Sequence, residues 1–188
     1  MIYGYKSMRL DSKSIPFVVF DRDGTIIDFV HHLKKLNEIR IKSDAIEALT
    51  NLKTNGFRFG VITNQSVIGR GLASLDIVES INLAIANHFA TYDINFDFFF
   101  FCPHNPDDNC ECRKPKIELG LKTMELFDLS PQKSYYIGDT DSDMRFARDL
   151  GWTGVQITQH FGPSELACYH ANSLLEASKW VVQDFKVI

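Results

Sequence analysis

No stretch of this chain approaches the roughly 18 consecutive apolar residues of a membrane span, so no membrane partner is expected. The opening segment, MIYGYKSMRLDSKS, lacks the apolar core of a signal peptide, and residues 1–14 read as a frayed tail. There is no basic surplus: 20 Lys and Arg stand against 24 Asp and Glu, a net charge of −4, and no basic stripe is present. Nucleic acid is therefore not an expected partner. There is no internal repeat and no low-complexity linker, which leaves one domain over residues 1–188. Cysteine is scarce, four in all, and no pair has the C-x-x-C spacing of a redox switch. The expectation is a cytoplasmic, monomeric globular protein whose cysteines stay reduced. Apolar content of 45% and charged content of 23% are ordinary for that class.

What is present alternates. Residues 15–21, 57–63, 96–101, 133–138 and 153–157 are apolar, β-branched or aromatic runs of strand length. Between them Ala45, Ile46, Leu49 and Leu52 recur at helical spacing, as do Ile77, Val78, Ile81, Ala84, Ile85 and Phe89. Ile117, Leu121, Met124 and Phe127 mark a third helix, Met144, Ala147 and Leu150 a fourth, and residues 173–183 a last one. Residues 28–42 show no period and read as a loop or short flap. Strand–helix alternation predicts an α/β, Rossmann-like open parallel sheet with helices on both faces. In such a sheet ligands bind beyond the carboxyl ends of the strands.

Those ends carry the chemistry. FDRDGT places Asp21 and Asp23 two residues apart after the first run, with Gly24 permitting a sharp turn. A turn built for local hydrogen bonding is the plainer reading of that motif alone. GDTDSDM adds Asp139, Asp141 and Asp143 after another run. A third carboxylate near Asp21 repels it unless a cation lies between them, and magnesium fits such a site. Asp141 reads as a cap of the following helix. Asp143 is a candidate support for the metal or for Lys114, and Asp139 the better direct ligand.

CPHNPDDNCECRKPK holds Cys102, His104, Cys110 and Cys112 as C-x-H and C-x-C pairs around a polar turn. Three thiolates and an imidazole make a closed tetrahedral set for structural zinc, so residues 102–112 are expected to form a zinc-binding loop. The loop runs directly into Arg113 and Lys114, which it would stiffen. Cys168 stands apart and reads as a buried small apolar residue.

FDRDGT, VITN, the lysine of CRKPK and YIGDTDSDM together resemble the four ordered motifs of the haloacid dehalogenase superfamily of phosphohydrolases, over about residues 15–158. The resemblance implies that Asp21 is a nucleophile forming an aspartyl-phosphate and Asp23 the general acid and base. It implies catalytic magnesium on the Asp21 side chain, the Asp23 carbonyl and Asp139. It also implies phosphoryl contacts from Thr63, Asn64 and Lys114. The zinc loop is similar to that of the capless histidinol-phosphatase group, whose activities include hydrolysis of D-glycero-D-manno-heptose 1,7-bisphosphate and of histidinol phosphate. TNQSVIGRG resembles the heptose branch, and there Gln65, Ser66 and Arg113 would contact the leaving group. The short cysteine loop resembles the histidinol branch. Thr140 departs from both, which carry lysine or arginine after the last motif's aspartate. Neither Asp23 nor Thr63 is followed by a long insertion, in keeping with a capless site. A small phosphorylated substrate is the expected partner. An inactive zinc-stabilised binding module is the competing reading from another class, and the intact Asp21, Asp23, Thr63, Lys114 and Asp139 argue against it. Arg70 and the pair His31 and His32 fit solvated surface positions at least as well as a site.

Overall fold

The computed structural model describes residues 3–6, 15–159 and 161–187. Among the described residues, seven strands form one sheet in the order β1-β4-β3-β2-β5-β6-β7. The strands are β1 (Tyr3–Lys6), β2 (Phe17–Phe20), β3 (Arg58–Asn64), β4 (Phe96–Cys102), β5 (Ser134–Gly138), β6 (Thr153–Ile157) and β7 (Tyr169–Ala171). The helices are α1 (Ala45–Thr54), α2 (Leu75–Ala90), α3 (Glu118–Phe127), α4 (Asp141–Asp149) and α5 (Leu174–Phe185). All pairings are parallel except β1 on β4.

The parallel strands read as unbroken apolar runs because both their faces are covered. β4 is buried at every position. Alternate residues serve opposite cores. Val18, Phe20, Phe59, Val61, Phe99, Tyr135 and Ile137 pack with α1, α2 and α5. Phe17, Val19, Ile62, Phe98, Phe100 and Tyr136 pack with α3 and α4. Phe98 fills the centre of the second core, 4.7 Å from the Phe127 ring and 5.8 Å from that of Phe17. Gly60 on the neighbouring strand makes this possible, since a Cβ there would overlap the Phe98 ring.

Two short strands lie outside the predicted set. The tail expectation fails at Tyr3–Lys6, which pair with Phe98–Phe101 and cover what would otherwise be an open edge of β4. The rest of residues 1–14 lies outside the described residues. β7 extends the far edge beside β6. Cys168, just before it, is exposed rather than buried: it precedes the strand and lies outside the cores that the sheet and helices enclose. The flap reading of residues 28–42 corresponds to an irregular segment with one 3-10 turn at Leu36–Glu38 and a bridge from Ile27 to Ile41. Among the described residues, no helix is long and apolar enough to cross a membrane.

β2 is central, with β3 and β4 on one side and β5 and β6 on the other. The strand order therefore reverses beside β2, and the crevice at its carboxyl end is the natural ligand position. Gly60→Ala should lower stability by about 1–3 kcal/mol through overpacking against Phe98. Urea denaturation reads this as a lower midpoint with an unchanged slope, and an unmoved midpoint would contradict the packing.

Candidate active site

Asp21 follows β2 directly, and its N–H donates to the Ile137 carbonyl at 2.8 Å, which ties it to β5. The chain then turns, with the Gly24 N–H donating to the Ile27 carbonyl at 2.9 Å. Gly24 has φ +81°, and a Cβ there would overlap Asp139 Oδ2. Only glycine lets the turn approach the acid that ends β5. Asp21, Asp23, Thr63, Asn64, Arg113, Lys114 and Asp139 line one cavity of about 460 Å³. Residues from four separate chain segments thus meet at the sheet edge that topology selects.

Lys114 organises the group. Its Nζ lies 2.7 Å from Asp21 Oδ1, 2.7 Å from Asp143 Oδ1, 2.6 Å from Tyr136 Oη and 3.0 Å from the Ile62 carbonyl. The ammonium side chain is 2% exposed and Asp143 equally so. Such a buried charge persists only when it is paired. Burial alone would pull Lys114 down, but Asp143 and Asp21 outweigh it and hold the lysine well above its ordinary value. Its main chain is braced as well. The Asn64 amide donates to the Lys114 carbonyl and accepts from the Lys114 N–H, both at 3.1 Å. Both ends of the Asn64 amide are thus engaged by Lys114. The Lys114–Pro115 peptide is cis.

One ammonium faces three carboxylates, and the surplus shows. Asp21, Asp139 and Asp143 offer oxygens that all lie within 4.8 Å of one another. Burial pushes Asp21 up to about 6, with Lys114 opposing and Asp143 and Asp23 adding to the rise. Burial again, then the charges of Asp21 and Asp143, push Asp139 up to about 8. The three acids are not equivalent. Asp143 is fully engaged: Oδ1 takes Lys114, and Oδ2 accepts from the Thr140 N–H at 3.0 Å and its hydroxyl at 2.6 Å. Asp139 Oδ2 is buried and has no hydrogen-bond partner among the described residues. That open oxygen beside Asp21 suits a divalent cation, which would also relieve the crowding. Arg113 Nη1 and Ser142 Oγ are likewise buried without partners, and both residues line this cavity.

The helix that carries Asp143 begins differently from expectation. Thr140, not Asp141, is the cap of α4, accepting from the Asp143 N–H in a reciprocal capping box. Asp141 is the first helical residue.

Asp23 sits in a second network. Arg22, with no exposed surface, forks it, and Gln65 Nε2 donates to Asp23 Oδ2 at 2.8 Å and to Thr63 Oγ1 at 3.1 Å. A smaller cavity of about 220 Å³ lies on this side, lined by Asp23, Gln65, Ser66, His31 and His32. The two histidine rings are 3.9 Å apart, and Arg70 is exposed. Tyr136, Arg22 and Asn82 belong to the site and were not singled out in the sequence. Their signal, polar atoms inside apolar elements, depends on which strand or helix lies opposite.

The cysteine loop closes as the spacing predicts. Sulfur–sulfur separations among Cys102, Cys110 and Cys112 are 3.3–3.6 Å, and His104 Nδ1 lies 3.1 Å from Cys112 Sγ and 3.6 Å from Cys102 Sγ. Edges near these lengths surround a tetrahedral ion with metal–ligand bonds of about 2.0–2.3 Å. A capped 3-10 turn at Pro106–Asp108 and Asn109 at φ +47° fold the loop back. Burial pushes the Cys102 thiol up. The next loop leans on this one: the Gln65 N–H donates to the Cys102 carbonyl at 2.7 Å and the Gly69 N–H to the Pro103 carbonyl at 2.8 Å.

Comparison with known proteins places these features in context. Residues 31–151 match the model of a family described as haloacid dehalogenase-like hydrolase. A protein of Thermoplasma acidophilum named "Probable D-glycero-D-manno-heptose-1,7-bisphosphate 7-phosphatase" is 34% identical over 142 residues, 75% of this chain and 89% of that protein. The histidine biosynthesis bifunctional protein HisB of Legionella pneumophila (strain Lens) is 38% identical over 149 residues, 78% of this chain. The match spans only 42% of that relative's length. Among solved structures, the D,D-heptose 1,7-bisphosphate phosphatase from B. bronchiseptica, complexed with magnesium and phosphate, superposes with a TM-score of 0.82. It is 22% identical, and the alignment covers 90% of this chain and 99% of that one, a likeness of fold.

Tyr136 gives a direct test of the Lys114 network. Its hydroxyl donates to the Ile62 carbonyl at 2.6 Å and accepts from Lys114. Tyr136→Phe should cost about 1–3 kcal/mol by leaving buried partners unsatisfied. Chemical denaturation measures the loss, and a neutral substitution would show that the hydroxyl is dispensable to the network.

Proposed function

Because the chain belongs to the haloacid dehalogenase-like hydrolase family, we propose that it is a phosphomonoester hydrolase working through an aspartyl-phosphate on Asp21. The observation that carries this reading is the Asp21 carboxylate gripped by Lys114 beside the unpartnered Asp139 oxygen. Asp21 is held in one orientation at a strand end. Around it lies a deficit of positive charge that a magnesium ion and a phosphoryl group would complete.

In the first step an Asp21 oxygen attacks phosphorus, and the bond from phosphorus to the leaving oxygen breaks. Asp23 gives its proton to that oxygen, releasing an alcohol. In the second step Asp23 takes a proton from water as the water oxygen attacks phosphorus. The bond to Asp21 breaks, inorganic phosphate leaves and both aspartates are restored. Lys114 and Thr63 hold phosphoryl oxygens, and Asn64 keeps Lys114 in place. The Asp21 side chain, the Asp23 carbonyl and Asp139 would hold magnesium, which would supply charge screening between nucleophile and phosphate. Asp143 anchors Lys114. Arg113, with an unpartnered buried Nη1, and Ser66 face the leaving group. Gln65 lines that side too, with its amide already engaged by the protein.

Cys102, His104, Cys110 and Cys112 would hold structural zinc. All four positions are protein ligands, so the zinc takes no part in turnover. Its work is to fix the segment that carries Arg113 and Lys114.

The substrate is a small phosphate ester, with D-glycero-D-manno-heptose 1,7-bisphosphate first. The relative named for that activity aligns over 89% of its length, and the segment 63–71, TNQSVIGRG, resembles that branch. Histidinol phosphate is the second reading, supported by the 38% identity to the bifunctional histidine biosynthesis protein.

Asp21→Asn should abolish turnover of every phosphomonoester. Dialysis against magnesium-free buffer should stop wild-type turnover while metal analysis still finds one zinc per chain. Retained activity in the variant removes Asp21 as nucleophile, and zinc-free fresh protein removes the zinc assignment. Substrate choice is read from kcat/KM on the two esters side by side. We expect the heptose bisphosphate to be favoured by at least about tenfold, roughly one well-placed contact. The reverse order would assign the chain to histidinol phosphate.

A further inference from the structure

Arg22 is a charged side chain with no exposed surface, and the phosphoryl chemistry above does not use it. Burying a guanidinium is costly unless its donors are met. Here they are met by a specific set. Nε lies 3.1 Å from Asp23 Oδ2, and Nη2 lies 3.2 Å from Oδ1 and 2.9 Å from Oδ2. Nη1 donates to Asn82 Oδ1 at 2.9 Å, and Nη2 donates to Gln65 Oε1 at 2.7 Å. Gln65 closes the ring by donating to Asp23 Oδ2. The planar fork thus meets the carboxylate on one side and two amides on the other. Asn82 is itself buried, on α2, and Gln65 follows β3. Three separate elements therefore converge on a single guanidinium.

An apolar side chain would fill this volume at lower desolvation cost. What it would not do is fix the plane of the neighbouring carboxylate, as a bidentate arginine does. Asp23 needs such fixing. Lys114 contacts Asp21 and Asp143, and no contact between it and Asp23 is present among the described residues. The side chain of Asp23 is 17% exposed, at the boundary of the two cavities, with room to turn.

We propose that Arg22 is a positioning residue for Asp23, holding its carboxylate where it exchanges a proton with the leaving oxygen, with Asn82 and Gln65 locking the guanidinium. The proposal rests on the phosphatase reading. It separates Arg22 from a merely structural residue, because a misplaced Asp23 harms only those leaving groups that need a proton. An alkoxide needs one as the bond to phosphorus breaks, whereas p-nitrophenolate leaves without it.

The test compares kcat/KM, which reports the steps up to aspartyl-phosphate formation, for the better of the two alkyl phosphates and for p-nitrophenyl phosphate. In Arg22→Met the alkyl phosphate should lose about 30- to 100-fold, within the range general acid catalysis contributes. The aryl phosphate should lose about tenfold less than that. Arg22→Lys should recover part of the difference, since it restores charge without the fork. Asn82→Ala leaves Asp23 and Arg22 in place and should show a smaller loss with the same asymmetry. If Arg22→Met does not fold, Asn82→Ala carries the comparison. Equal losses on both esters would overturn the proposal and leave phosphatase activity standing. A wild-type protein that cleaves neither ester would overturn both.

Discussion

One buried ammonium governs this site. Lys114 lies between Asp21 and Asp143, within 2.7 Å of each, with almost no access to water. An isolated charge at that depth would be strongly disfavoured, so each partner is a condition of the others. The acids need the lysine, the lysine needs both acids, and Tyr136 supplies a further contact. The consequence is geometric. Asp21 has one oxygen committed to Lys114 and faces the cavity from a fixed direction; on the proposed reading, that is what an attacking carboxylate requires.

A side chain held so closely needs a main chain that is equally fixed, and Lys114 sits on a loop. Two devices restrain it. Asn64 at the end of β3 brackets its peptide from both sides. The Cys/His cluster gathers the preceding residues around one point. The same cluster also props the next segment, because Gln65 and Gly69 donate to the carbonyls of Cys102 and Pro103. Gln65 in turn touches Asp23. On the proposed reading, one structural ion therefore stiffens the supports of both the phosphate-binding lysine and the proton-exchanging acid. On that reading, the connection explains why a Cys/His loop with no open ligand position stands next to the site.

Much of this was legible in residue order alone, for a physical reason. A parallel sheet buries its strands on both faces, so strands appear as apolar runs and the polar residues that end them mark the functional edge. Asp21, Thr63, Cys102 and Asp139 were all found that way. The cysteine loop was legible because its ligands lie within eleven positions, from Cys102 to Cys112. What escaped depends on contacts between distant segments. Tyr136 reads as core, and its hydroxyl becomes significant only because β5 lies beside β2. Arg22 carries no signal of its own inside FDRDGT, and its role depends on α2 bringing Asn82 across 60 positions to meet it. β1 and β7 have four and three residues, too few for a period to emerge. Cysteine is usually buried, which is why Cys168 reads as core in the sequence, but its place in the segment before β7 leaves it exposed.

On the proposed reading, hydrogen bonding rather than proximity separates a metal ligand from a support among the three buried carboxylates. Asp21, Asp139 and Asp143 lie close enough to share one ion, and distance alone would admit all three. Asp143 has Lys114 on one oxygen and Thr140 on the other, so binding a cation would break bonds already made. Asp21 keeps one oxygen outside its bond to Lys114. Asp139 has a buried oxygen with nothing to accept from, which is a standing energetic deficit in the protein alone. Gly24 adds to the argument, since the chain brings its backbone against that same oxygen and leaves no space for a side chain. A buried acceptor enclosed by a glycine turn and left unpaired makes sense as one half of an interaction. On the proposed reading, its other half is a small cation tolerant of oxygen ligands, and magnesium has those properties.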